Sequence, residues 1–147
     1  MLSPATRSLE VHKIAGALGA EISGVDLASD LDDAAVAEIR RVWLDNCVVF
    51  FRNQDLPPAQ FLDLAKRFGE PIEYPFLKGL DGFPEIITVA KLEHEKINFG
   101  GVWHSDTSYL DIPPMATMLI AREIDAGNFC AERARDLVDL EAARRGR

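Results

Sequence analysis

Apolar positions follow several different rhythms along this chain, and each rhythm predicts an element. In "LEVHKIAGALGAEISGVDLA" (9–28) short apolar pieces alternate with glycine, which predicts one or two short strands joined by turns at Gly16, Gly19 and Gly24. "SDLDDAAVAEIRRVWLDN" (29–46) then changes to helical spacing. Asp32 or Asp33 caps its start, and Val36, Ile39, Trp43 and Leu44 make an apolar stripe over a helix at 33–45. "CVVFF" (47–51) is continuously apolar, the mark of a buried strand, and it ends at the polar turn Arg52, Asn53, Gln54. Arg52 could stand at the mouth of a site, but such a turn reads first as solvated.

The clearest helix lies in "LPPAQFLDLAKRFGEP" (56–71). Pro57 and Pro58 suit a first turn, where a missing N–H costs nothing, and Phe61, Leu64, Ala65 and Phe68 fall on one face. Gly69 and Pro71 end it, so the helix is expected over 58–68. "EIITVAKLE" (85–93) predicts a strand, a polar glycine-bearing loop follows to Gly101, "DIPP" makes a turn, and "MATMLIARE" (115–123) predicts a further strand. The tail after Asp125 contains no strand-like alternation and is rich in helix formers, so it reads as a helix.

Composition narrows the class. With 147 residues, 48% hydrophobic, the chain suits one domain with a sizeable core. A net charge of −8 with no basic cluster argues against nucleic acid or an anionic membrane as partner. Two cysteines, Cys47 and Cys130, make no disulfide framework, and no segment reads as a signal peptide or a membrane span; the expectation is a cytoplasmic protein with a small-molecule substrate. Cys47 reads as a small apolar residue beside the buried strand, without a redox role.

Candidate chemistry sits in "GGVWHSDTSYL" (100–110). If this stretch is a strand, His104 and Asp106 share a face, about 6–7 Å apart at the α-carbons, and an imidazole and a carboxylate so placed can converge on one ion. The same pattern fits a solvated polar pair, and two donors alone do not complete the two-histidine, one-carboxylate set of a non-haem iron site. On a regular strand Trp103, Thr107 and Tyr109 would point the other way, with Trp103 in the core. Ser108 would share the ligand face.

The surrounding residues decide between these readings. "NFGGVWHSDTSYLDIPPMATMLIAREI" (98–124) resembles the iron-signature region of the TauD/TfdA family of dioxygenases, with its W-H-[ST]-D, an aromatic segment, a Pro-Pro turn and an apolar strand. "LGAEISGVDL" (18–27), "VWLDNCVVFFRNQDLPPAQFLDLAKRFGEP" (42–71) and "PEIITV" (84–89) resemble further segments of that family in the same order. The resemblance implies an α+β, mainly β fold: a double-stranded β-helix, the jelly roll of cupins, with helices outside and here incomplete. It implies Fe(II) as metal, with His104 and Asp106 as ligands, and 2-oxoglutarate and O₂ as cosubstrates. Hydroxylation of a small organic acid, sulfonate or sulfate follows. The alternative is a non-catalytic interaction module built on a partial β-helix.

The sequence also departs from the family. The second iron-binding histidine, the arginine that holds 2-oxoglutarate and a threonine of that same site lie well downstream in the family. This chain runs only to Arg147, its other histidines, His12 and His94, precede the motif, and no threonine follows Thr117. The expectation is therefore a family portion over 1–124 joined to a divergent helical tail over 125–147, foreign or frame-shifted in origin. Lacking strands, such a barrel would be poorly stable alone or would form homo-oligomers. Aligned on "RFGEPIEYPFL", Tyr74 stands where taurine-type members carry a sulfonate-binding histidine, and Leu77 replaces a family tyrosine. That disfavours taurine and suits an alkyl sulfate or an aryloxy acid. Tyr74 and Asn98 are the candidate substrate contacts.

Overall fold

The glycine-punctuated start does form two strands, and the turn between them depends on one glycine. β1 (Glu10–Lys13) pairs antiparallel with β2 (Ala20–Ser23), with Val11 opposite Ile22 and Lys13 opposite Ala20. Gly19, at φ 87°, accepts from Ile14 N–H at 3.0 Å and donates to the Asn46 carbonyl at 2.9 Å, a left-handed conformation open to glycine at little cost. The computed structural model describes residues 9–89, 102–124 and 132–141, and places them in two compact units, Met1–Leu56 and Pro57–Arg147.

In the first unit α1 (Asp33–Asn46) packs on β2 and on β3 (Val49–Phe50), which runs parallel to β2 and completes the sheet order β1-β2-β3. Asp32 is the N-cap, its carboxylate accepting from Ala35 N–H at 2.7 Å. The core is Ala20 and Ile22 of β2 with Val36, Ile39 and Val42 of α1. Asn46 is buried too, its amide donating to the Val42 carbonyl at 2.7 Å. The expected stripe is thus rotated: Val42 and Asn46 face inward, whereas Leu44 is exposed and Trp43 is half-buried beneath the Arg40 guanidinium at 5.9 Å. The satisfied Asn46 amide lets a polar residue take the inner position.

The apolar run at 47–51 is not a buried strand. Only two of its residues are in β3, Val48 and Phe50 are exposed, and Cys47 sits exposed at the helix end with φ 64°. As the edge of a three-stranded sheet it has one neighbour and one open side. The turn that follows is tied down by Gln54, which accepts from Leu27 N–H at 2.8 Å and donates to the Val25 and Arg52 carbonyls. Arg52 pairs with Glu21 at 3.0 Å on the exposed surface, as a solvated turn would.

The second unit begins with α2 (Pro58–Lys66), which starts after Pro57 and lies against β4 (Glu70–Ile72) and β7 (Glu132–Glu141). Phe61, Leu62, Leu64 and Ala65 are its buried residues; Phe68, beyond the helix end, is only half-buried. β5 (Ile86–Val89) and β6 (Pro114–Ile124) appear where the apolar runs predict strands. Residues 90–93 of the expected β5 run lie outside the described residues.

The tail overturns its expectation. Glu132–Glu141 is a strand, not a helix: β7 pairs antiparallel with β6 along its length, and its other side takes β4 at 139–141 and β5 at 135–138. Without it, β4, β5 and β6 would each leave a row of N–H and C=O groups unpaired, and satisfying three strands outweighs a modest helical preference in "ERARDLVDLE". The result is a mixed α/β molecule with a three-stranded and a four-stranded sheet, the latter entirely antiparallel. No helix among the described residues is long and apolar enough to cross a membrane.

Candidate metal centre

The histidine–aspartate segment is not a strand. Residues 102–113 form an irregular loop leading into β6, with a turn closed by Leu110 N–H donating to the Thr107 carbonyl at 3.0 Å. The alternation that would have put Trp103 in the core therefore fails: its side chain is 105% exposed. Thr107 and Tyr109 do not share its surroundings, Thr107 being buried and Tyr109 exposed. Ser108 pairs with Ser105, hydroxyl to hydroxyl at 2.9 Å.

His104 and Asp106 converge nonetheless. His104 Nε2 lies 2.9 Å from Asp106 Oδ1, and Nδ1–H donates to the Val102 carbonyl at 2.6 Å. The Val102 contact fixes the ring orientation and keeps a hydrogen on Nδ1, so that Nε2 is the nitrogen turned to the carboxylate and the one a metal ion would take. The Val102 carbonyl, with Asp106 adding to it, holds the imidazole above its ordinary pKa of 6.5. When the ring is doubly protonated, Nε2–H donates to Asp106 Oδ1.

That spacing suits a metal ion as well as a proton. Two donors each about 2.1 Å from an octahedral centre and cis to one another stand about 3.0 Å apart. A pair so spaced would fit one edge of an octahedron, and both side chains are about half exposed or more. No group of three or more His, Cys, Asp or Glu side chains gathers about one point among the described residues. His12 lies exposed in β1, opposite Glu21, away from any such set. His94 and Asn98 lie outside the described residues.

Tyr74 reaches the same loop through a row of rings. It packs edge-on against Phe76, centroids 5.9 Å apart, and Phe76 packs at 5.7 Å on Tyr109, three residues beyond Asp106. Phe76 is 70% exposed and had no periodic signal to single it out, because it belongs to neither a strand nor a helix. The loop 78–86 below the row is tight: Leu80 N–H donates to the Ile86 carbonyl at 2.8 Å, and a Cβ at Gly79 would collide with the Pro84 carbonyl.

Residues 10–128 match the family described as taurine catabolism dioxygenase TauD, TfdA family, and the chain belongs to that family. The match runs past 124, into the start of the segment expected to be divergent. An alpha-ketoglutarate-dependent sulfate ester dioxygenase of Pseudomonas putida is 34% identical over 118 residues, which cover 80% of this chain and 38% of that protein. An alkylsulfatase of Acinetobacter baylyi is 34% identical over 115 residues, covering 78% of this chain and 35% of its own length. Among solved structures, a taurine dioxygenase from Burkholderia xenovorans superposes with a TM-score of 0.66 at 35% identity, over 76% of this chain and 39% of that one. The chain spans well under half the length of these relatives.

Proposed function

We propose that this chain carries the His-x-Asp half of an Fe(II)- and 2-oxoglutarate-dependent dioxygenase whose substrate is a sulfate ester or a related small organic acid. The observation that carries the reading is the 2.9 Å approach of His104 Nε2 to Asp106 Oδ1, with Nδ1 anchored on Val102. His104 would give the ion a neutral nitrogen donor, and Asp106 a carboxylate that offsets one positive charge. The Val102 carbonyl keeps the imidazole from turning away and raises its basicity. Fe(II), with 2-oxoglutarate and O₂, supplies the oxidising chemistry of such an enzyme. A third ligand and the 2-oxoglutarate arginine, which the resemblance implies, would have to come from outside the described residues.

Tyr74, Phe76 and Tyr109 offer aromatic faces and two phenol hydroxyls beside the ligand loop, which suits a substrate with an apolar body and a polar end. Tyr74 takes the place of the histidine expected for taurine, and the relatives named for sulfate esters and alkyl sulfates support the larger substrate. Asn98 belongs to the proposal on the resemblance alone.

Anaerobic titration with Fe(II) tests the site. One equivalent should bind to the wild-type chain, with loss in both His104→Ala and Asp106→Ala, and added 2-oxoglutarate should bring up a visible charge-transfer band. Undiminished binding in the two variants, or no binding by the wild type, would leave the non-catalytic module as the better reading.

A further inference from the structure

The two edges of the three-stranded sheet are built differently. β1 ends it on one side with Glu10 and Lys13 among four exposed residues, and charged side chains are how an edge strand discourages further pairing. β3 ends it on the other side within Val48, Val49, Phe50 and Phe51, a run that carries no charge before Arg52. No strand lies beyond β3 among the described residues. The Val48 carbonyl accepts from Ala20 N–H at 3.1 Å, so that peptide group faces β2. Hydrogen-bonding groups alternate from side to side along a strand, and the register of Ala20 with Val49 turns the Val49 N–H and C=O to the open side.

An apolar patch borders that edge. A Cβ placed on Gly19 would stand 3.8 Å from the side chains of Val48 and Phe50 and 3.9 Å from that of Ile14, so the three gather around one point. Leu18 adjoins it. Val48 is 41% exposed, Phe50 43%, Ile14 50% and Leu18 58%. Phe50 lies opposite Glu21, on the face away from the Ala20 and Ile22 side chains that pack with α1, so the helix does not cover it. An uncharged strand with outward backbone groups unpaired, flanked by exposed apolar side chains, is a template for one more strand.

We infer that the open edge of β3 is an interface between two copies of this chain, which pair antiparallel there with Val49 opposite its counterpart. The two Val49 residues exchange both N–H···O bonds. Val48 of each copy then stands opposite Phe50 of the other, in the non-hydrogen-bonded positions where side chains come closest, and a β-branched residue against an aromatic one is a favourable cross-strand pair. The twofold contact pairs both edges and covers both patches at once. It sets apolar against apolar, with no charge that a different partner would have to match. Four part-exposed side chains fall short of the roughly 800 Å² that each partner gives to a standard stable complex, so the dimer is weak and forms at high protein concentration.

Sedimentation velocity of the 147-residue chain over a rising concentration series should show monomer passing to dimer. Phe50→Lys puts a charge on each copy's edge, and Val49→Pro removes the N–H that points to it, a change an edge strand accepts. Each should raise the dissociation constant about tenfold or more. Leu44→Lys, at an exposed apolar position of α1 outside the patch, should leave it unchanged. Phe50 is exposed, so its replacement keeps the test open even where proline at 49 disturbs the fold. Hydrogen exchange locates the contact: the Val49 amide should slow as dimer forms. The Val11 amide should exchange at one rate throughout, because Ile14 N–H faces Gly19 and alternation puts Val11 N–H on the open, charged edge. A wild-type chain that stays monomeric up to millimolar concentration would overturn the inference. So would a dimer that persists at wild-type strength in Phe50→Lys, or one in which the Val49 amide gains no protection; either would place the contact elsewhere.

Discussion

At the scale of single residues, the proposed site rests on two short contacts of one imidazole, to Asp106 and to the Val102 carbonyl. His104→Ala and Asp106→Ala should each abolish Fe(II) or Mn(II) binding, while His12→Ala, a change on exposed β1, should leave it intact; calorimetric titration distinguishes them. The imidazole also sets a pH dependence. Its pKa is raised first by the Val102 carbonyl and then by Asp106. A raised folded-state pKa means that the proton's contribution to stability is fully present below the unfolded-state value and disappears as pH rises through the folded one. A proton and a metal ion compete for Nε2, so metal release on acidification should begin at a higher pH than for an ordinary imidazole. An NMR titration of metal-free protein should give a midpoint above 6.5, and Asp106→Asn should lower it only in part, because the Val102 carbonyl remains. A midpoint below 6.5 would show that the Val102 contact does not form in solution.

Elements owe their stability here to a few buried side chains and one cap. Phe61 is 2% exposed in α2, so Phe61→Ala should cost about 3–5 kcal/mol, measured by denaturant unfolding. Phe68 fits the same helical spacing but lies past the helix end and is half-buried, so Phe68→Ala should cost clearly less. Equal losses would mean that α2 presents a different face. Asp32→Ala removes the N-cap bond to Ala35 and should cost about 1 kcal/mol. By contrast, Arg41 joins Glu38 and Asp45 on the open face of α1, where ion pairs between exposed side chains add little. The regular elements were legible because each rests on local information: an aspartate before a helical stripe, prolines at a first turn, apolar runs between turn residues. The stripe on α1 was misread by part of a turn because the inward choice between Trp43 and Val42 depends on what β2 presents, and sequence spacing does not carry that.

At the scale of the whole chain, β7 holds the larger sheet together. Its amides pair with β4, β5 and β6, so removing residues 132–147 should expose all three. Hydrogen exchange reads this directly: amides of Ile86–Val89 should be protected in the 147-residue chain and exchange freely in the shortened one. Retained protection would show that the β5 amides do not depend on β7. Turnover belongs to this scale too. With only the two proposed ligands, and no residue assigned as the 2-oxoglutarate arginine among the described residues, the 147-residue chain with Fe(II), ascorbate and alkyl sulfates should form no succinate above a protein-free control. Succinate that disappears in Asp106→Ala would show that the rest of the site is supplied by a second copy.

Sequence by itself determined the family and the local elements, and it marked His104 and Asp106. Those features are carried by residue type at fixed spacing, and no distant contact is needed to read them. Tertiary structure decided the rest. The His104–Asp106 segment has strand-like composition from Val102 to Tyr109, yet it is a loop, with a left-handed residue at Thr107, a hydroxyl pair between Ser105 and Ser108 and the His104 ring held by the Val102 carbonyl. Trp103 is outside rather than inside for the same reason. The tail has helix-forming composition, yet it is a strand, because a helix satisfies only its own backbone, whereas a strand at this place also satisfies three others. In each case the deciding free energy lies in hydrogen bonds and burial between residues far apart or conformationally strained, which periodicity along the chain does not record.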